Sequence, residues 1–200
     1  MNAVCFNPQP IVLSGGRVRL EPLHLSHAPD LFDAGQDPDL WKYLPVPVQT
    51  RVEETQAWIK QAIDGQEQGT QIPFAIIDLE TGRAIGSTRY LDIQRQDRNL
   101  EIGWTWLTPR VHGTRVNPEC KRLLMEHAFE TLGAVRVQLK CDGRNQRSQR
   151  AMEKLGCIRE GALRRQRLCW DGHYRDTVYY SVLDHEWPQV KLTLDSMIIA

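Results

Sequence analysis

Apolar and polar positions alternate through Val18-Arg19-Leu20-Glu21-Pro22-Leu23, which predicts a first strand, and Ser26 then stands ready to cap a helix from about Ala28 to Gly35. Thr50 opens a second helix with Glu53 three residues on as a capping box, and Val52, Ala57, Trp58 and Ile59 carry its apolar face toward Ile63. Ile72 to Leu79 and Ala84 to Leu91 are β-rich runs parted by Glu80-Thr81-Gly82-Arg83, a hairpin turn, and Leu100 to Leu107 is a third consecutive antiparallel strand. A helix from Pro118 to Leu132 follows, apolar at Cys120, Leu123, Leu124, Ala128 and Leu132. The strand Val135 to Lys140 comes next, then a helix from Asn145 to Leu155 ended by Gly156. Leu163 to Trp170 and Tyr174 to Leu183 form a last hairpin across Asp171-Gly172, and the tail after Glu186 fits no single pattern. Consecutive strands, a strand-helix-strand-helix crossover and a closing hairpin predict an α/β chain with a mixed sheet and helices on its faces.

Composition narrows the function. The 200 residues read as one domain spanning 1–200, large enough to bury a core without staples, with no internal repeat and no Gly/Ser or Pro linker. Lys plus Arg equals Asp plus Glu at 25 each, so no global field argues for nucleic acid or a membrane surface, and local charge must carry any anion binding. Cys5, Cys120, Cys141, Cys157 and Cys169 are odd in number and lack metal-ligand spacing, which predicts free thiols, no metal and a reducing cytoplasm. Met1 to Pro10 has neither the basic start nor the apolar run of a signal peptide.

The stretch from Leu100 to Leu155 carries the chemistry. Its turn, Pro109-Arg110-Val111-His112-Gly113-Thr114-Arg115-Val116, leads into a helix that Asn117 is expected to cap, with Pro118 in the first turn and Glu119 near the positive end of the dipole. Backbone N–H groups, a hydroxyl and a guanidinium presented together at a helix N-terminus suit a diphosphate.

The order of elements and five motifs resemble the GCN5-related N-acetyltransferases (GNAT), and among them the branch with the ribosomal-protein N-terminal acetyltransferases. The motifs are Val18 to Leu23, Ala84-Ile85-Gly86-Ser87, Leu100-Glu101-Ile102-Gly103-Trp104, the turn, and Asn145-Gln146-Arg147-Ser148-Gln149-Arg150-Ala151-Met152-Glu153-Lys154-Leu155-Gly156. The likeness covers about 17–187. It implies a sheet of about seven mostly antiparallel strands, in which the parallel pair ending at Leu107 and Lys140 splays to take acetyl-CoA. Unpaired strand groups would bond the pantetheine amides. Trp106, Leu107 and Thr108 would face the thioester, while His112, Gly113, Thr114, Arg115, Val116 and Asn117 would hold the pyrophosphate. Asn145 matches a cofactor-amide contact, and Arg110, Arg115, Arg144 and Arg147 are available for phosphate charge. In the usual turn Gln or Arg is followed three places later by Gly and two after that by Gly or Ala; here His112, Arg115 and Asn117 stand there, and Arg for Gly would strain a turn that needed positive φ.

The resemblance implies acetyl transfer to a primary amine of a small molecule or peptide by direct attack, with no metal. Glu101 matches a family base, and its alternative is a strand-end carboxylate paired to a basic neighbour. Many relatives place a tyrosine acid where this chain has Met152, a thioether without a proton to give. Ser148, one turn earlier on the same face, is the expected acid unless it bonds its own helix. Cys141 could be a nucleophile but reads first as a small buried apolar residue, and His112 and His173 as solvated turn histidines. Trp41 and Tyr43 are expected to line the acceptor pocket, because the segment joining the first two helices covers that site in the family. Met197 to Ile199 could pack on a second subunit, and a homodimer is the family habit. A non-catalytic module that keeps CoA binding, as a sensor or interaction surface, is the alternative to the enzyme.

Overall fold

A computed structural model describes residues 6–199; Cys5 lies outside them. Among the described residues eight strands form one sheet in the order β1-β2-β3-β4-β5-β6-β8-β7. They are β1 (Leu13–Ser14), β2 (Val18–Pro22), β3 (Gln71–Asp78), β4 (Ala84–Gln94), β5 (Asn99–Leu107), β6 (Arg136–Asp142), β7 (Ile158–Leu168) and β8 (Tyr174–Leu183). All neighbours are antiparallel except β5 and β6. The eighth strand, one more than expected, is β1, whose two residues pair with Arg19 and Leu20 and are too few to show a period in the sequence.

Helices cover both faces because alternate strand residues point to opposite sides. On β3, Ile72, Phe74 and Ile76 pack with Cys120 and Leu124 of α3 (Val116–Glu126), whereas Ala75 and Ile77 pack with Leu31 of α1 (Ala28–Ala34) and Ile59 of α2 (Val52–Glu67). Two apolar cores thus sandwich the sheet. α4 (Gln146–Lys154) follows β6, and the tail is a fifth helix, α5 (Trp187–Ile199). It lies on α3 through Arg122 Nε to Asp195 at 2.7 Å and Lys191 Nζ to Glu126 at 3.0 Å, and Met197 packs on the chain's own core.

Several expected caps fall elsewhere. The His24 ring, not Ser26, caps the short turn Leu25–His27 ahead of α1, accepting the Ser26 N–H at 3.2 Å. At α2 it is Glu54, not Glu53, that reaches back to the Thr50 N–H at 2.8 Å, because the helix begins one residue later than the capping-box spacing assumes. Asn117 lies inside α3 rather than at its cap, which falls on Arg115. Glu119 also does more than favour the dipole: its buried carboxylate accepts the N–H groups of Gly16, Arg17 and Val18 at 2.6, 3.0 and 3.0 Å, pinning α3 to the β1–β2 turn. A Cβ at Gly15 would meet that carboxylate at 2.5 Å, so this close approach requires glycine.

Candidate active site

The site begins where β5 and β6 part. They pair in parallel only at Asn99–Arg136, Leu100–Val137 and Glu101–Gln138, after which β5 runs on to Leu107 and β6 to Asp142 unpaired. The divergence has a local cause. The β4–β5 register shifts between Ser87 and Arg89, so that Trp104 and Thr105 both stand opposite Thr88, and Trp104 takes a φ of +51°. Such a bulge bends its strand away from the neighbour, and a bulky residue at positive φ is backbone strain of the kind that gathers at functional sites.

The bulge also decides which N–H groups are free. Thr108 donates its N–H to Ile85 O at 2.8 Å, which fixes the phase of the ladder. By alternation the Trp106 N–H also faces β4, while the Leu107 N–H points away from it into the gap. Of the three residues expected to face the thioester, Leu107 therefore offers the open backbone donor, and the N–H of Thr108 is already spent.

A cleft of about 470 Å³ fills the gap. Its floor is the turn after β5, where Gly113 has a φ of +75° and Arg115 an ordinary helical φ of −68°. The strain expected of Arg115 does not arise, because the left-handed residue has moved two places back to a glycine. Thr114 Oγ1 donates to Val111 O at 2.8 Å, and the Val116 N–H donates to that hydroxyl at 3.3 Å. The N–H groups of Gly113, Arg115 and Asn117 take no partner among the described residues. Three open donors at a helix N-terminus fit a pyrophosphate. Val116 contributes only its backbone, since its side chain is buried in the core.

The flanking arginines divide. Arg110 lies 3.4 Å from Asp78, and Arg144 is held by Asp142 at 2.8 Å, so both are partly neutralised. Arg115 pairs with no carboxylate among the described residues, and Arg147 donates to His112 Nδ1 at 3.3 Å. His112 Nε2 in turn lies 2.9 Å from Leu107 O, so the ring is the tautomer that donates from Nε2 and accepts at Nδ1. His112 is thus the exposed turn histidine expected, and it also braces the turn against the end of β5.

Glu101 sits at the fork, buried, and lines the cleft. Its Oε2 receives Lys140 Nζ at 2.7 Å and Gln138 Nε2 at 3.0 Å, whereas Oε1 accepts nothing among the described residues. Gly103 leaves room for it, since a Cβ there would lie 2.7 Å from Oε1. The carboxylate is therefore both paired to a basic neighbour and presented to the cleft. Asn145 caps α4 by accepting the Ser148 N–H at 3.0 Å, and this orients Ser148 and Met152, which both line the cleft. Ser148 Oγ makes no bond to its own helix. Burial pushes the neighbouring Cys141 thiol up to about 11, so it stays protonated and is a poor nucleophile. Tyr43 lines the cleft. Trp41 does not: its ring is buried 5.2 Å from that of Trp106, with Nε1 donating to Gly35 O at 2.7 Å, and it supports the wall from behind.

Sequence reasoning missed Lys121. It projects from α3 into the cleft, donates to Thr105 Oγ1 at 2.7 Å beside the bulge, and has no carboxylate partner among the described residues. Burial pushes its pKa down to about 8. The one signal was a charge next to Cys120 on the apolar face of the helix. It missed Arg89 as well, inside β4. Among the described residues no group of three or more His, Cys, Asp or Glu could hold a metal, and no helix is long and apolar enough to cross a membrane.

A family profile described as acetyltransferase (GNAT) domain matches residues 17–158. A Bacillus subtilis (strain 168) protein named "Putative ribosomal N-acetyltransferase YdaF" is 31% identical over 109 residues, 54% of this chain and 58% of that one. The crystal structure of a GCN5-related N-acetyltransferase from Brucella melitensis superposes with a TM-score of 0.90 at 28% identity, covering 96% of this chain and 87% of that one. Mycobacterium smegmatis RimJ, solved in complex with CoA-disulfide, shares the fold at a TM-score of 0.81 and 19% identity, over 94% of each chain. With the splayed strands, the anion-ready turn and a profile match over most of its length, the chain belongs to the GNAT family of N-acetyltransferases, with Rim-type neighbours in sequence and structure.

Proposed function

We propose that this protein transfers the acetyl group of acetyl-CoA to a primary amine of a small molecule or peptide by direct attack. The observation that carries the reading is the fork of β5 and β6, with an open Leu107 N–H on one arm and the buried Glu101 carboxylate at its root. Acetyl-CoA supplies an activated acyl group on a thiol leaving group. The N–H groups of Gly113, Arg115 and Asn117 would hold its pyrophosphate, with Arg115 and Arg147 adding charge, and Asn145 and the unpaired edges of β5 and β6 would take the pantetheine amides. The Leu107 N–H polarises the carbonyl. Glu101 takes a proton from the incoming ammonium, directly or through a water, and Lys140 and Gln138 fix its orientation. Ser148 donates to the leaving sulfur in the place of the tyrosine that Met152 replaces. Tyr43 closes the acceptor side.

Calorimetric titration with acetyl-CoA, CoA and a nucleotide lacking pantetheine tests the reading. Micromolar binding that needs the pantetheine arm, followed by amine-dependent release of CoA thiol, is the expected result. Binding without release with any amine would favour a CoA-binding module instead, and no binding would remove both.

A further inference from the structure

A second cavity, of about 630 Å³, opens beside the cofactor cleft and shares Pro45, Trp104 and Arg167 with it. Its innermost charged residue is Arg89, which is 5% exposed. The guanidinium lies against two rings, 4.8 Å from Trp58 and 4.5 Å from Trp104, the bulge residue. Nη1 donates to Gln71 Oε1 at 3.0 Å. Nε is sealed from solvent without a partner, Nη2 makes no hydrogen bond, and no carboxylate pairs with this cation among the described residues. The anchor is itself built. Gln71 is held by its Nε2 donating to Ala62 O at 3.1 Å, and its amide fits because position 65 is glycine, where a Cβ would lie 2.3 Å from that nitrogen.

A buried guanidinium cannot shed its proton at neutral pH, and an unpaired buried charge is expensive. With Nη1 engaged by Gln71 and Nε sealed, Nη2 is the nitrogen left to meet a ligand, and its N–H groups suit a charge-assisted bond to a carboxylate oxygen. Arg167 at the rim adds a second positive charge. Among the described residues the one acid lining the cavity is Asp64, on α2, with Lys60 Nζ 3.4 Å away.

We infer that this cavity receives the acceptor, and that the acceptor is an amine carrying a carboxylate, which Arg89 binds through Nη2 while Trp58 and Trp104 pack against the guanidinium. This rests on the acetyl-transfer reading for the amine but not for the anion site. The carboxylate sits on one side of the bulge and the thioester on the other, so anchoring the acid aims the amine across Trp104.

The test has two independent arms. In the first, CoA thiol release is followed with matched amines that differ only in the acid: phenylalanine against phenethylamine, lysine against cadaverine, and the dipeptide seryl-glycine against seryl-glycinamide. The carboxylate member is expected to lead by at least tenfold in kcat/KM, with the free amino acids or the dipeptide telling a small acceptor from a peptide one. Arg89→Gln should erase the lead, and Arg89→Lys restore part of it. Gln71→Leu, which leaves the charge but removes its anchor, should shrink the lead if the Gln variant does not fold. In the second arm, tryptophan fluorescence is titrated with propionate and succinate without CoA, where a saturable change absent from Arg89→Gln is expected. Equal rates within every pair overturn the inference, as does a flat titration. A saturable titration with no thiol release from any amine overturns acetyl transfer and leaves the anion site standing.

Discussion

Two buried cations flank the bulge of β5, and they solve burial differently. Lys121, on the cofactor side, bonds Thr105 and is pushed down to about 8, so it can lose its charge near neutral pH. Arg89, on the other side, is pushed down only to about 10 and stays charged. Burial is the dominant cause of both shifts, and neither cation pairs with an acid among the described residues. A lysine can answer the low dielectric by giving up a proton, while an arginine needs an anion or a stack of rings. The same split runs through the two cavities. The cofactor cleft is lined by backbone donors that survive changes of side chain, as Arg115 in place of glycine shows, whereas the second cavity depends on individual side chains.

Substitutions can sharpen or break this contrast. Glu101→Gln should have the largest effect on the cofactor side, lowering kcat by about 10²- to 10⁴-fold as loss of a general base does, with CoA affinity in calorimetry unchanged. Full activity would remove Glu101 from the mechanism.

Lys121→Met tests whether that charge is a burden. The unfolded lysine titrates near 10.5 and the folded one near 8, so the fold is penalised in full below pH 8, and the penalty fades as pH rises toward 10.5. A shift of that size corresponds to about 3 kcal/mol at most. The methionine variant should therefore be more stable at pH 7 by about 1–3 kcal/mol, with the gain gone by about pH 10.5. Denaturant melts across that range decide it, and a less stable variant at pH 7 would mean that the ammonium is fully compensated. The neighbouring thiols do not compensate it, since burial holds Cys120 and Cys157 at about 12 and both stay neutral.

Gly113→Val forces a branched residue to the φ of +75° that opens the turn, at about 1–2 kcal/mol, and should weaken CoA about tenfold. The carboxylate titration of the second cavity should not move. If both respond, the two sites are not separable. Ser148→Ala should give the smallest change, about tenfold in kcat for one lost hydrogen bond, with KM for the amine unaltered. An unaltered kcat would leave the leaving sulfur to another donor.

Much of this was legible in the sequence, for a physical reason. The periods of two and 3.6 in the apolar positions are local properties, so the strands from Val18 to Leu183 and the helices that separate them follow from chain chemistry alone. The Asn145-to-Gly156 motif likewise fixes a cap, a helix and the Ser148 face through bonds within a few residues. What the chain order could not decide was contact between distant segments. The two-residue β1 exists only because Arg19 and Leu20 offer it an edge, and Glu119 spends its carboxylate on Gly16 to Val18 about a hundred positions away. Trp41 and Tyr43 are two residues apart in the same loop, yet only packing against Trp106 sends one into the core and leaves the other in the cleft. Arg89 reads as an ordinary charge in an alternating strand until tertiary structure closes Trp58, Gln71 and Trp104 around it. Sequence set the elements and the family's motifs, because these are written in neighbouring residues; the sheet's bulge, its free donors and its buried cations were decided where segments remote in the chain meet.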